Sequence, residues 1–209
     1  MFTGAIWLSG SIGKTSQAAN QIALTLATMT FMFAMGLSVT AMIRVLNQKG
    51  LNDYVKLVVV AKSIFLLAII IEIVFALFFI AFHNYLPSLF LNLENTHQAI
   101  DNREVVHIAA QLLVVAAIFQ ISDGIQVVVL GALRGLQDVK VPMYITFVAY
   151  WLVGFPISFY LGLYTELKAT GIWIGLLAGL TIAAILLYIR FNQLSKRLIE
   201  EQIITHREI

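Results

Sequence analysis

The sequence predicts an all-α protein, a polytopic transmembrane helix bundle with five full spans and a partial first helix. Three observations carry that expectation. Of the 209 residues, 60% are hydrophobic and only 11% charged, whereas a soluble domain carries about 25% charged residues. The apolar residues fall in five long runs, each sufficient for the roughly 20 residues a helix needs to cross a hydrocarbon core about 30 Å thick. The runs also lack the apolar–polar alternation of barrel strands, and a closed barrel is the only other way to satisfy backbone groups in lipid.

Each element follows from its run and its breaks. Met1 to Gly13 is apolar but lacks the basic flank of a signal peptide. At 1.5 Å per residue it reaches only about 20 Å. It reads as the end of a helix and suggests a missing N-terminal portion. The full spans are expected at about 15 to 47, 56 to 82, 104 to 134, 141 to 163 and 168 to 191. Between them lie chain-breaking or polar segments: Gly13 with Lys14, Asn47-Gln48-Lys49-Gly50, Pro87, Gly135 to Pro142, and Thr165 to Thr170. Only the loop from His83 to Arg103 is long. Residues 1–195 are expected to form one helical bundle and residues 196–209 a cytoplasmic tail.

Cationic residues predict the orientation, because cytoplasmic loops hold an excess of Lys and Arg. With the spans alternating, Arg44, Lys49, Lys56, Lys62, Arg134, Lys140, Arg190, Lys196, Arg197 and Arg207 fall on one side, against Lys14, Arg103 and Lys168 on the other. A multi-pass protein of the cytoplasmic (inner) membrane is expected, with its C-terminus in the cytoplasm.

Several function classes are unsupported. A scattered net charge of +2 gives no nucleic-acid footprint, and without cysteine there is no thiolate metal site or cysteine nucleophile. No P-loop, nucleophile elbow or HExxH motif is present, and the four histidines lack metal-ligand spacing. The chain reads as a non-enzyme without a resident cofactor.

The residue that most needs a reason is Asp123, midway through the third run. A charged side chain at the bilayer centre costs about 2.5 to 3.5 kcal/mol on insertion scales, so such residues face a bundle interior or a wet cavity. A bound cation or a proton would neutralise it; a structural hydrogen bond between helices is the competing reading. On a helix, Gln120 and Gln126 share its face within about 120°. In the first run, Gln17, Gln21, Thr25 and Thr28 recur at helical spacing and continue into Met32 and Met35. Amides, hydroxyls and adaptable thioethers on one arc suit a cavity for varied ligands, and equally suit helix packing. Glu72 is a second carboxylate inside a span, with apolar helix neighbours and no amide stripe, so a neutral hydrogen-bonded acid is expected there. Tyr150 and Trp151 read as interfacial belt or pocket aromatics. Gly171, Gly175 and Gly179 form two GxxxG steps that permit close helix approach.

Two longer motifs make a resemblance specific. Phe119-Gln120-Ile121-Ser122-Asp123-Gly124-Ile125-Gln126-Val127-Val128, then Gly131-Ala132-Leu133-Arg134-Gly135-Leu136-Gln137-Asp138 with Pro142, resembles the tenth helix and following loop of NorM-type multidrug and toxic compound extrusion (MATE) transporters. Ala19-Asn20-Gln21-Ile22-Ala23, Phe31-Met32-Phe33, Ile43-Arg44-Val45, Tyr150-Trp151 with Gly154 and Pro156, and Gly171-Ile172-Trp173-Ile174-Gly175-Leu176 match in family order. The resemblance implies a fold of twelve helices in two six-helix lobes, of which this chain is similar to the C-terminal lobe. It implies antiport of Na+ or H+ against organic cations and drugs, with Asp123 in the cation site; Gln120, Gln126, Asn20, Gln21, Thr25, Met32 and Tyr150 are the residues expected to line the substrate cavity. An N-terminal six-helix lobe would be the partner. Phe119, Asn20 and Ala34 stand where family members often have tyrosine, histidine and proline. The alternative is a truncated or split bundle that transports nothing and serves as a structural or assembly partner.

Overall fold

A chain this apolar has to satisfy its backbone within helices, and the computed structural model shows how. It describes residues 10, 13–90 and 99–207, and among them there is no strand. Helix α1 spans Lys14–Gly50 and α2 spans Tyr54–Phe82; a short 3-10 turn, Pro87–Phe90, follows. Helix α3 covers Ala99–Gly135. The fourth span is composite: α4 (Lys140–Val148), a π turn (Ala149–Gly154) and α5 (Phe155–Leu163). Helix α6 runs from Lys168 to Arg207. Five stretches are long and apolar enough to cross a membrane: Lys14–Gly50, Tyr54–Phe82, Arg103–Gly135, Lys140–Leu163 and Lys168–Ile204. The expected apolar stub before Gly13 lies outside the described residues, apart from Gly10.

Two boundaries differ from the expectation, for the same reason. Helix α3 begins at Ala99, about a turn before its apolar run, and α6 continues through the polar residues after Asn192. No Gly or Pro interrupts either extension, and a helix satisfies its own backbone in water as well as in lipid. The distal part of α6 is further held by an Arg197–Glu201 pair at 2.8 Å and by Gln202 Nε2 donating to the carbonyl of Asn52 at 2.8 Å.

Helix α3 is central and packs against α1, α2 and α6, while α5 packs on α6. Close approach depends on small residues. A side chain at Gly131 would strike the backbone of Ser38, and one at Gly135 the carbonyl of Met42. Gly171 and Gly175 meet Leu161 and Ser158 of α5 in the same way, so these two glycines of the GxxxG steps form a helix contact. Ser38 Oγ also donates to the carbonyl of Val127 at 2.8 Å. The turn after α3 is closed by Gln137 in a left-handed conformation (φ 65°), with the amide of Asp138 bonded to the carbonyl of Leu133 at 3.0 Å. Lys49 Nζ donates to Leu136 O at 2.8 Å and to Gln137 Oε1 at 3.0 Å, and Arg190 Nε donates to Asp138 Oδ2 at 2.8 Å. The cation-rich end is thereby tied across α1, α3 and α6.

The buried apolar residues form two clusters, one from residues such as Leu26, Phe79, Leu113 and Trp173, the other from Val45, Leu57, Leu133 and Phe191. Each takes opposite halves of α1, α2, α3 and α6. The gap between them is where the polar residues sit.

Candidate functional site

The third span carries its polar residues into that gap. Asp123 is 8% exposed, and Gln120 and Gln126 are each 4% exposed. The three side chains go in different directions. Gln120 Oε1 accepts from Thr30 of α1 at 2.9 Å, and its Nε2 reaches the Glu72 carbonyl of α2 at a long 3.4 Å. Gln126 Oε1 accepts from the Tyr150 hydroxyl at 2.6 Å. Asp123 instead lines a cavity of about 390 Å³ with Gln21, Leu24, Ala27, Thr28, Phe31 and Phe119. An adjoining cavity of about 280 Å³ is lined by Gln21, Leu24, Thr25, Thr28, Met29 and Met32. The polar stripe of α1 thus borders the space onto which the carboxylate opens. Thr25 and Thr28 donate back to carbonyls one turn earlier, at 2.8 and 2.7 Å, which leaves their oxygens as acceptors at the wall.

Glu72 is the second acid of this layer. It is 2% exposed, and its Oε2 is buried without a hydrogen-bond partner. Its side chain lies across Gly124 so closely that a Cβ there would fall 2.6 Å from Glu72 Cγ and 2.8 Å from Oε1. Glu72 is therefore packed against the residue next to Asp123. Two buried carboxylates on facing helices of one low-dielectric layer are costly to keep charged together without a counter-charge. The arrangement suits one positive charge, a proton or a monovalent cation. Among the described residues there is no group of three or more His, Cys, Asp or Glu that would hold a metal ion.

The structure thus brings Asp123 and Gln21 to one cavity and Thr25 and Met32 to a neighbouring one that shares Gln21, Leu24 and Thr28, with Gln120 and Gln126 as links to α1, α2 and the π turn. Asn20 is placed differently. It is 1% exposed and its Oδ1 accepts from Trp173 Nε1 at 2.9 Å, so it joins α1 to α6 and lines neither cavity. The reason is helical phase: Asn20 lies about 100° from Gln21. One member of the layer, Thr30, escaped the sequence reading, and the surroundings of another, Glu72, were not legible there. Thr30 lies off the polar stripe and carried no signal; Glu72 was visible as an acid, but its neighbour across the helix interface was not. The one available hint was Gly124, a residue without a side chain beside a buried charge.

What fold and layer together define is a polytopic helical membrane protein with carboxylates at mid-height. More particularly, the MatE family model matches residues 1–160. The chain belongs to that family, whose members are transporters and not enzymes. It is 36% identical over 197 residues to a probable multidrug resistance protein NorM of Agrobacterium fabrum, covering 94% of this chain and 42% of the relative. It is 35% identical over 201 residues to the multidrug resistance protein MdtK of Yersinia pseudotuberculosis, covering 94% of this chain and 42% of the relative. The crystal structure of the eukaryotic MATE transporter AtDTX14 superposes with a TM-score of 0.79 at 19% identity, covering 94% of this chain and 43% of that one. The chain thus spans about two fifths of the length of these relatives.

Proposed function

We propose that this chain works as the C-terminal lobe of a cation-coupled multidrug antiporter of the inner membrane, exchanging Na+ or H+ for organic cations together with an N-terminal six-helix lobe. The observation that carries the reading is the side chain of Asp123, buried at mid-height yet opening onto a cavity edged by the Gln21 amide and Thr28 hydroxyl of α1, with Thr25 and Met32 lining the adjoining one. A cation or proton loaded at Asp123 neutralises the carboxylate and weakens its hold on a cationic substrate in the adjoining space; emptying the site restores that hold. Competition for one negative charge then gives the two loaded states different affinities, and only such a difference shifts an equilibrium between outward- and inward-open forms. Gln120 and Gln126 transmit the loading state, since each ties α3 to a different neighbour. Alternating access by this route requires two bundles rocking against one another.

The decisive experiment expresses the chain in a drug-sensitised bacterium, alone and with a MATE N-terminal lobe, and follows ethidium efflux. Efflux is expected with both lobes present, and its loss, more than about tenfold, in Asp123→Asn, the scale of losing a buried charge interaction. Unchanged coupled efflux in that variant removes Asp123 from the mechanism. Absence of efflux in every combination, with the chain folded and inserted, supports a structural bundle that transports nothing.

A further inference from the structure

A second cavity lies apart from the one beside Asp123. A groove of about 450 Å³ opens on another flank of the bundle, where α2 and α6 diverge and α3 forms the floor. Its mid-height end is formed by Ser122 and Thr181, whose hydroxyl oxygens are 3.0 Å apart. Thr181 donates to the carbonyl of Leu177 at 2.8 Å, so Ser122 is the donor of the pair. Both protons are consumed within the protein, and the groove offers an occupant an almost wholly apolar wall. Its other end, toward the cation-rich side, is flanked by Lys62 and Tyr188.

We propose that this groove holds an acyl chain of an anionic phospholipid, with the lipid phosphate paired to Lys62. Shape, direction and charge agree. The groove follows Lys62 to Ile69 on α2 and Thr181 to Ile189 on α6, stretches of about 10 and 12 Å along the helix axes, so its long dimension runs with the membrane normal as a lipid tail does. Lys62 lies eight residues inside α2, about 12 Å from its start. There a lysine ammonium has to reach toward the interface or find an anion. The ion pairs among the described residues are Arg190–Asp138 and Arg197–Glu201, and neither involves Lys62. Tyr188, 39% exposed with its ring against Phe65 at 6.2 Å, adds the amphipathic side chain that favours headgroup depth.

The test is native mass spectrometry of the purified chain titrated with phosphatidylglycerol or phosphatidylcholine of the same tails. Retention of one phosphatidylglycerol in preference to phosphatidylcholine is expected. Lys62→Gln should cut that preference about fivefold, the factor one lysine contributes at an anionic surface, while Lys62→Arg keeps it. Ile185→Trp, which fills the groove from an exposed position, should abolish retention of both lipids, and it provides a second reading should Lys62→Gln fail to fold. Equal retention of the two lipids, or a preference untouched by both Lys62→Gln and Ile185→Trp, overturns the proposal. So does a dimer mass that Ile185→Trp splits, since a second copy would then cover the groove. None of these outcomes depends on transport.

Discussion

Gly124 shows how a single absent side chain organises the polar layer. Its missing Cβ is the space into which Glu72 folds, at 2.6 Å from where that carbon would lie. Gly124→Ala forces either Glu72 or the α2–α3 contact to move, and overpacking of this kind costs about 1–3 kcal/mol. The expected result is a lower thermal midpoint in detergent for Gly124→Ala and little additional loss when it is placed in a Glu72→Ala background. Equal losses in both backgrounds would show that the two residues do not share the space. This contact marks the limit of what the sequence made legible at residue scale. Asp123 stood out because a carboxylate in an apolar run is costly wherever it points, and Gln21, Thr25 and Met32 because helical spacing puts them on one arc. Glu72 and Gly124 are far apart in the chain, and no periodicity within one helix reports a contact between two. Asn20 shows the opposite failure, a polar residue next to the stripe whose phase turns it toward Trp173.

At the scale of elements, the fourth span departs most from a regular helix. Pro156 has no N–H to donate to the carbonyl of Leu152, and the ladder is repaired by a π turn in which the amide of Phe155 bonds to the carbonyl of Tyr150. Tyr150 lies in that turn, and its hydroxyl makes the 2.6 Å bond to Gln126. Pro156→Ala restores the donor. The turn should relax to α-helical spacing, rotating Tyr150 by about one residue step of 100° and breaking its bond to Gln126. Hydrogen exchange should slow across residues 150–156, and Tyr150→Phe should then cost nothing further in the Pro156→Ala background. Unaltered exchange would mean that neighbouring helices, not the proline, impose the π turn. The sequence exposed the run and its Gly154 and Pro156, because length and breakers are local properties. It concealed the π turn and the onward course of α6, because a proline in an apolar run does not say whether its lost hydrogen bond is met by a kink, a break or a π turn, and the course of α6 rests on an extension held by Gln202 against Asn52.

For the molecule as a whole, sidedness joins the two apolar clusters, the polar layer and the proposed lipid groove into one picture. The five spans alternate in direction, which places ten Lys and Arg positions at the end holding the α1–α2 and α3–α4 turns and three at the opposite end. Such asymmetry is the strongest orienting signal a helical membrane protein carries, and the ties from Lys49 and Arg190 to the α3–α4 turn make that end a cross-linked plate beneath the cavity. The cation-rich end is expected to face the cytoplasm. Because the natural chain contains no cysteine, single cysteines give a clean readout. Asn47→Cys, exposed beside the α1–α2 turn, and Glu166→Cys, exposed between α5 and α6, lie at opposite ends. In intact cells a membrane-impermeant maleimide should label Glu166→Cys at once, and Asn47→Cys only after permeabilisation. The reverse pattern would invert the molecule, place the proposed Lys62 lipid contact in the outer leaflet, and require the exchange at Asp123 to be rewritten with its two compartments interchanged. Labelling of both sites in intact cells would mean a mixed orientation, and the charge asymmetry would then have failed as a topological determinant in this chain on its own.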